Sequence, residues 1–469
     1  MNIYVKAKRY ITVLMILCLC AVSFCACDFI GSGKDDQITT KSNGGDGPTA
    51  TITIITPEQS VILPETEEEE SEIEEVIEEP EYVEIYDDVN KTYSVKAGDP
   101  LKTTLAFVGD IGFAQGYATI NVYRQQPNGV EDCISPEVLS EMRGVDIMMA
   151  NNEFPYSDRG TPTPNKTYTF RADPDDVHIM TDMGVDIVSL ANNHAYDYGP
   201  DALNDTVDIL NGAKLPFVGG GKNYEEASKP AYFHVNGGIV SYVSATQIER
   251  YGNPDTREAT ADSPGVMRTL DSAKFVEEIK EAEANSDFVV VYVHWGSEST
   301  DLVDQSQRNL AQDYVDAGAD LIIGDHSHCL QGIDYIGDVP VFFSLGNFWF
   351  NSKTLDTCVV EATLNSEFKI EQMKFIPCLQ MGSKVKTADE ATKLRIINYM
   401  RGISNYAEIS DDGIVTKSDT DHNIQNGQNT SPAKKVETPQ TDAIAPTAED
   451  LLNAALNAAA QTGGEVPVQ

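Results

Sequence analysis

Between Leu101 and Gly346 short apolar runs alternate with amphipathic stretches. Residues 104–108 form a β-type run that stops at Gly109-Asp110. Runs at 146–150, 185–190, 217–221, 238–245, 288–293, 321–323 and 341–345 predict further strands. Between them, 136–142, 174–183, 201–212, 272–284 and 305–317 carry helical patterns, the last stopped by Gly318. This alternation predicts an α/β fold with helices covering the sheets. Beyond Asn351, 354–364 and 368–379 predict two strands joined across 365–367, and 388–404 a closing helix. From Asp411 polar residues and Pro dominate, and order is expected to end. Residues 447–461, with Thr447 and Asp450 as a capping box, predict a short helix inside that tail.

The start of the chain has another character. Lys6, Lys8 and Arg9 precede an apolar stretch over 11–21, too short for a comfortable membrane span. The segment ends Phe24-Cys25-Ala26-Cys27, which resembles a bacterial lipobox with Cys27 as the lipidated residue. Cys25, plain cleavage and an uncleaved anchor are the alternatives, and each places the rest of the chain outside the cytoplasmic membrane. Residues 28–98 are Thr-, Ser- and Gly-rich, then strongly acidic, with no Lys or Arg between Lys41 and Lys91. Self-repulsion predicts an extended, disordered spacer. The expected organisation is a signal over 1–27, a linker over 28–98, a folded domain over 99–405 and a disordered tail over 406–469.

The 469 residues carry a formal net charge of −41 at pH 7, which excludes nucleic acid as a partner. Four of the eight cysteines lie in the signal. Cys133, Cys329, Cys358 and Cys378 remain, with no C-x-x-C pair to suggest a zinc knuckle. Export permits disulfides without requiring them.

Candidate chemistry collects where the strands end. The run over 185–190 leads into Ala191-Asn192-Asn193-His194-Ala195-Tyr196-Asp197-Tyr198-Gly199. Alone, this could be an ordinary N-cap and turn. Asp110, Glu153, His294, His326 and His328 occupy equivalent places after other strands, where open α/β sheets keep their sites. Carboxylates, an amide and imidazoles suit one or two divalent metals such as Mn, Fe or Zn. Such ions clamp the oxygens of a phosphoryl group, and His194 is a candidate proton donor. Arg171 is a candidate anion contact and Asn347, after Gly346, a candidate substrate contact. Lys166, Arg171, Lys222 and Arg250 are candidates for a basic patch in an acidic chain.

Gly109-Asp110, Asn151-Asn152-Glu153, Asn192-Asn193-His194-x-x-Asp197-x-Gly199, His294-Trp295-Gly296-x-Glu298, Asp325-His326-Ser327-His328 and Ser344-Leu345-Gly346-Asn347-Phe348 occur in order. Together they resemble the CapA family of poly-γ-glutamate capsule proteins, over about 103–352. That family is similar in fold to the calcineurin-like metallophosphoesterases. The resemblance implies a four-layered α/β/β/α sandwich. It implies Glu153 as a bridging carboxylate, with Asn193, His294 and His326 completing one metal site and Asp110 and His328 serving another. Two departures stand out. The phosphoesterases carry Asp-x-His where this chain has Asp110-x-Gly112, which leaves one site an imidazole short. CapA proteins usually read His-His-Pro-His where this chain has Asp325-His326-Ser327-His328, so Asp325 is expected to ligate or to support His326.

The expected function is a lipid-anchored CapA-type protein on the outer face of the bacterial membrane. It would act on an anionic polymer or phosphoryl substrate through a metal-dependent hydrolase or transferase site, beside membrane-bound synthase subunits. A non-catalytic assembly or polymer-binding component and a wall metallophosphoesterase are the alternatives.

Overall fold

Alternate side chains of each central strand leave in opposite directions, and this divides the molecule into layers. Along β3 (Thr103–Ile111), Leu105 and Phe107 enter one core while Ala106 and Val108 enter another. Along β11 (Phe288–His294), Val290 and Tyr292 join the first core, and Val289, Val291 and Val293 a third. Two sheets therefore share a central core, and each has an outer core beneath helices. The architecture is the expected α/β sandwich. In this computed structural model residues 82–248 and 256–422 are described. The signal and Cys27, most of the acidic spacer, Arg250 and the proposed tail helix lie outside them.

One sheet runs β1 (Tyr86–Asp87), β2 (Thr92–Ser94), β8 (Ala231–Val235), β9 (Gly238–Thr246), β11, β12 (Leu321–Asp325), β14 (Val339–Phe342), β13 (Ile333–Ile336). The other runs β19 (Ala407–Ile409), β20 (Ile414–Lys417), β17 (Ile370–Met381), β16 (Leu355–Leu364), β3, β4 (Ile147–Asn152), β5 (Ile187–Ser189), β6 (Phe217–Val218). β15 (Asn347–Trp349) pairs with β3 and β18 (Lys384–Thr387) with β17, while β7 (Gly220–Gly221) and β10 (Gly265–Val266) pair apart. Helices α1 (Ala118–Tyr123), α2 (Pro136–Arg143), α3 (His178–Asp182) and α4 (Gly199–Gly212) pack on the second sheet. Helices α5 (Tyr224–Ala227), α6 (Ala273–Asn285) and α7 (Gln305–Ala317) pack on the first. α8 (Glu390–Ile403) sends Ile396, Ile397 and Met400 into the central core. α7 has the ends its sequence announces: Asp304 and Gln307 form a capping box, and Gly318 closes it at φ 112°.

Ordered strands reach beyond both expected boundaries. β1 and β2 lie inside the stretch read as spacer, and β19 and β20 lie inside the stretch read as tail. Order was expected to end at Asp411, yet Ile414 and Val415 pair with β17. Composition hid these strands because each contributes few apolar residues. Tyr93, at 4% exposure, is enough to anchor β2 beside β8. The four described cysteines are free thiols, and Cys358 and Cys378 face different cores.

Lys91 docks the N-terminal strands. It is buried, its Nζ donates to the Glu226 carbonyl at 2.9 Å, and it sits 4.4 Å from the centroid of the Phe217 ring. Burial pushes its pKa down from 10.5 to about 8, against the pull of Glu226 and Glu278. A depressed lysine contributes stability that is present above the unfolded pKa and is lost as pH falls toward the folded one. A Lys91→Met variant is therefore expected to lose the rise in stability that wild type shows between about pH 8 and 10, worth ~3 kcal/mol. Urea melts at both pH values check this; equal slopes for the two proteins would refute it.

Candidate metal centre at the strand ends

Strand register assembles the centre. In the first sheet His294 is paired with Asp325 across β11 and β12, at the carboxyl end of both. Both continue the inward-facing series, after Val290 and Tyr292 and after Leu321 and Ile323. In the second sheet Asp110 is paired with Asn151 on β4 and with Asn347 on β15. Simple alternation would send Asp110 outward with Ala106 and Val108. A register shift between Phe107 and Asp110 inserts one residue and turns Asp110 inward. Gly109 is required beside it, because a Cβ there would lie 2.0 Å from the Gly346 carbonyl oxygen. Two polar links tie the sheets together near these ends. The Tyr292 hydroxyl donates to the Val108 carbonyl at 2.8 Å, and the Ser189 and Ser244 hydroxyls are 2.7 Å apart.

Three buried carboxylates and three imidazoles converge there. Glu153, His294 and His326 bring ligand atoms within 4.8 Å of one another; Asp110, Glu153 and His328 do the same, as do Asp110, His294 and Asp325. His294 Nδ1 lies 2.8 Å from Asp325 Oδ1, and with Asp325 ionised the proton sits on Nδ1. The Nε2 lone pair then faces Asn193 Oδ1 at 2.9 Å, His326 Nδ1 at 3.0 Å and Glu153 Oε1 at 3.7 Å. His328 Nδ1 lies 2.7 Å from Asn347 Oδ1 and 3.3 Å from Asp110 Oδ2. His326 and His328 hold φ of 87° and 56°, a left-handed backbone that ordinary side chains adopt only where the surroundings enforce it.

The electrostatics are compatible with a cation. Burial pushes His294 down to about 3 and His326 well down as well, so both imidazoles are neutral with lone pairs to offer. Burial, reinforced by the Asp110 charge, raises Glu153 and Asp325 well above the carboxylate range. Asp110 moves the other way: burial opposes its ionisation, but the His328 hydrogen bond and charge prevail. Both oxygens of Glu153 and Oδ2 of Asp325 are buried with no hydrogen-bond partner, while Oδ2 of Asp110 meets His328 Nδ1 at 3.3 Å. Buried carboxyl oxygens without partners beside neutral imidazoles fit a divalent ion and are costly without one.

A further histidine lies beside these groups. His194 Nδ1 lies 2.6 Å from Asp197 Oδ2, and its Nε2 lies 3.9 Å from Glu153 Oε1. Phe170 stacks on the imidazole at 4.1 Å between centroids, and its amide donates to Asp197 Oδ2. Lys166, nearly buried, bonds Asp197 Oδ1 and the Asn193 carbonyl. Burial raises Asp197 to about 7, with Lys166 opposing the rise.

The family model described as "Bacterial capsule synthesis protein PGA_cap" matches residues 104–352, the span that carries every one of these groups. The chain belongs to the PGA_cap family. PGA biosynthesis protein CapA of Bacillus subtilis is 31% identical over 341 residues, covering 71% of this chain and 85% of that one. Capsule biosynthesis protein CapA of Bacillus anthracis is 31% identical over 277 residues, covering 57% and 65%. A probable polyglutamine synthesis accessory protein of Mycobacterium tuberculosis is 28% identical over 213 residues, covering 44% and 56%.

In this PGA_cap member the expected ligands Asp110, Glu153, Asn193, His294, His326 and His328 come together, with His194 beside them. Asn347, expected to meet substrate, lies with its Oδ1 2.7 Å from His328 Nδ1. Asp325, expected to ligate or to support His326, lies 2.8 Å from His294 Nδ1. Among the described residues, the members of the anticipated basic patch do not stand free. Lys166 is paired with Asp197 and Lys222 with Asp208, while Arg171 lies 4.3 Å over the Tyr198 ring and donates to the Arg159 carbonyl. Asn151 and Asn192 were visible only as motif residues. Asn151 donates to Asp110 Oδ1 and accepts from Asn192 Nδ2, both at 2.9 Å. Asn192 Oδ1 in turn accepts from the His194 amide at 3.0 Å. Amides suit this relay because each offers a donor and an acceptor, a property the sequence shows but does not connect.

Proposed function

We propose that this protein is a metal-dependent hydrolase or transferase of envelope-polymer biosynthesis, acting on poly-γ-glutamate or a related anionic polymer. It is held at the outer face of the cell membrane by a lipid on Cys27 and works beside membrane-bound synthase subunits. The relatives named for capsule and PGA biosynthesis support the polymer, and the segment around Cys27 supports the anchor. The observation that carries the chemistry is Glu153. It is fully buried, both its oxygens lack hydrogen-bond partners, and they face His294 and His326.

Glu153, Asn193, His294 and His326 would hold a Mn, Fe or Zn ion, which polarises a carbonyl or phosphoryl oxygen and activates water. The protein's own groups do the rest. Asp197 fixes the His194 tautomer with the proton on Nδ1, so Nε2 faces Glu153 and can exchange a proton with a leaving group. Phe170 stops the ring from turning. Lys166 holds Asp197 and the Asn193 backbone in one frame. Arg171 is close in sequence to Phe170 and offers an anion contact if substrate draws it from Tyr198.

Deletion of the gene is expected to abolish the surface polymer, and a His194→Ala copy to leave it absent while the purified variant keeps its metal. The loss in turnover is expected to be roughly 10²–10⁴-fold. Restoration of polymer by His194→Ala would instead mark an assembly or polymer-binding role. Phosphate release from generic esters, with polymer unaffected by the deletion, would mark a wall phosphoesterase.

A further inference from the structure

Glu298 closes the motif His294-Trp295-Gly296-x-Glu298, and it lines a cleft of about 440 Å³ beside the centre. His326, only 3% exposed, lines the same cleft. The loop that carries Glu298 is pinned on both sides. The Gly296 amide donates to Gln247 Oε1 at 3.4 Å, and the Ser299 amide donates to the Ser327 carbonyl at 2.8 Å. Gly296 has φ of 84° and no room for a side chain, because a Cβ there would lie 2.7 Å from Gln307 Nε2.

The lining has an apolar side and an acidic side. Ile248 and Leu270 form the first, and Leu270 is exposed. Glu298 and Asp304 form the second, and among the described residues no lysine or arginine lines the cleft. Asp304 is already engaged at the start of α7, where its Oδ1 accepts from the Gln307 amide at 3.0 Å and from the Ser306 hydroxyl at 2.7 Å. Glu298 is exposed and belongs to no such cap. Its charge reaches inward: burial does most to raise Glu153, Asp110 and Asp325 add to the rise, and so does Glu298.

We propose that this cleft binds the free ammonium group at the amino end of a γ-linked glutamate chain, with Glu298 as the residue that selects it. This rests on the polymer reading above and adds which part of the polymer enters the site. Each internal residue of such a chain brings one α-carboxylate and no positive charge, and beside Glu298 and Asp304 that charge is repelled. The amino-terminal residue is a zwitterion with no net charge. It is the one place on the polymer where a carboxylate of the protein gains a charge-assisted hydrogen bond. Its methylenes suit the side formed by Ile248 and Leu270. Because His326 lines the same cleft, the bound end lies beside the centre rather than on a remote surface.

The test is calorimetric binding of a synthetic γ-linked glutamate trimer, with its amino end free or acetylated, to the Mn²⁺-loaded full chain in detergent. All proteins carry His194→Ala, so that turnover does not consume the probe. With Glu298 in place, the free trimer is expected to bind roughly tenfold more tightly than the acetylated one. Glu298→Gln is expected to bind the two alike and to keep its metal, and Glu298→Lys to invert the order. Equal affinity for the two trimers with Glu298 in place, or a preference that survives in Glu298→Gln, would overturn the proposal and leave the polymer reading standing. Free glutamate bound as tightly as the free trimer would also overturn it and mark an amino-acid site. Binding of neither trimer would overturn the polymer reading with it.

Discussion

Alanine at position 326 is expected to lower the metal content of the protein from stoichiometric to background. His326 is 3% exposed, carries a neutral imidazole, and places Nδ1 3.0 Å from His294 Nε2. Without a cation this contact is a hydrogen bond if His326 carries its proton on Nδ1; with one, both nitrogens can turn lone pairs toward the ion. Replacing even the outer partners of metal ligands costs about 10–100-fold in affinity, and removing a ligand costs more. Alanine also leaves the positive φ at 326 without the interaction that enforces it. His178→Ala is the control, because that histidine is exposed on α3. Elemental analysis of the two purified variants checks the assignment. Metal retained at wild-type level in His326→Ala would mean that the four-residue ligand set is wrong.

Much of this site was legible because it is local. A strand followed at once by Asp, Glu, Asn-His or His places that group at a sheet end whatever the tertiary details, and five such clusters in one chain are hard to produce without a shared purpose. What was not legible depends on register and on partners distant in sequence. The inward turn of Asp110 comes from one inserted residue in β3, which no period of two foretells. Asp325 reads as the neighbour of His326 but lies beside His294, because β11 and β12 are paired in register. Lys166 reads as a free cation for an anionic polymer. It is neutralised by Asp197, 31 positions away, so burial rather than solvent decides its role. The strands at both ends of the domain were missed for the opposite reason. Their few apolar residues are diluted by charge, and only pairing with β8 and β17 gives them a place.

Glu153→Gln is expected to make the metal-free protein more stable and the metal-loaded protein less so. In the metal-free state Glu153 is a buried carboxyl with two unpartnered oxygens beside Asp110 and Asp325. Its folded pKa lies above the unfolded value of 4.5, raised first by burial and then by those neighbours. The stability this group contributes is thus complete below the unfolded pKa and is lost as pH rises beyond it. Metal-free wild type should weaken between pH 5 and 7, and the glutamine variant, having no charge to suppress, should lose this component of the slope. At pH 7 the variant gains roughly 1–3 kcal/mol from the removed desolvation cost. Metal reverses the order. A ligand at a thousand times its dissociation constant stabilises the folded state by about 4 kcal/mol, and wild type should show that gain. A neutral amide cannot bridge or neutralise an ion, so the variant should gain little. Denaturant melts of both proteins, with chelator and with saturating Mn²⁺, give four midpoints whose order is fixed in advance. If chelated wild type is the more stable of the two metal-free proteins, Glu153 is satisfied by some group other than a metal. If Mn²⁺ raises both midpoints equally, the ion binds elsewhere.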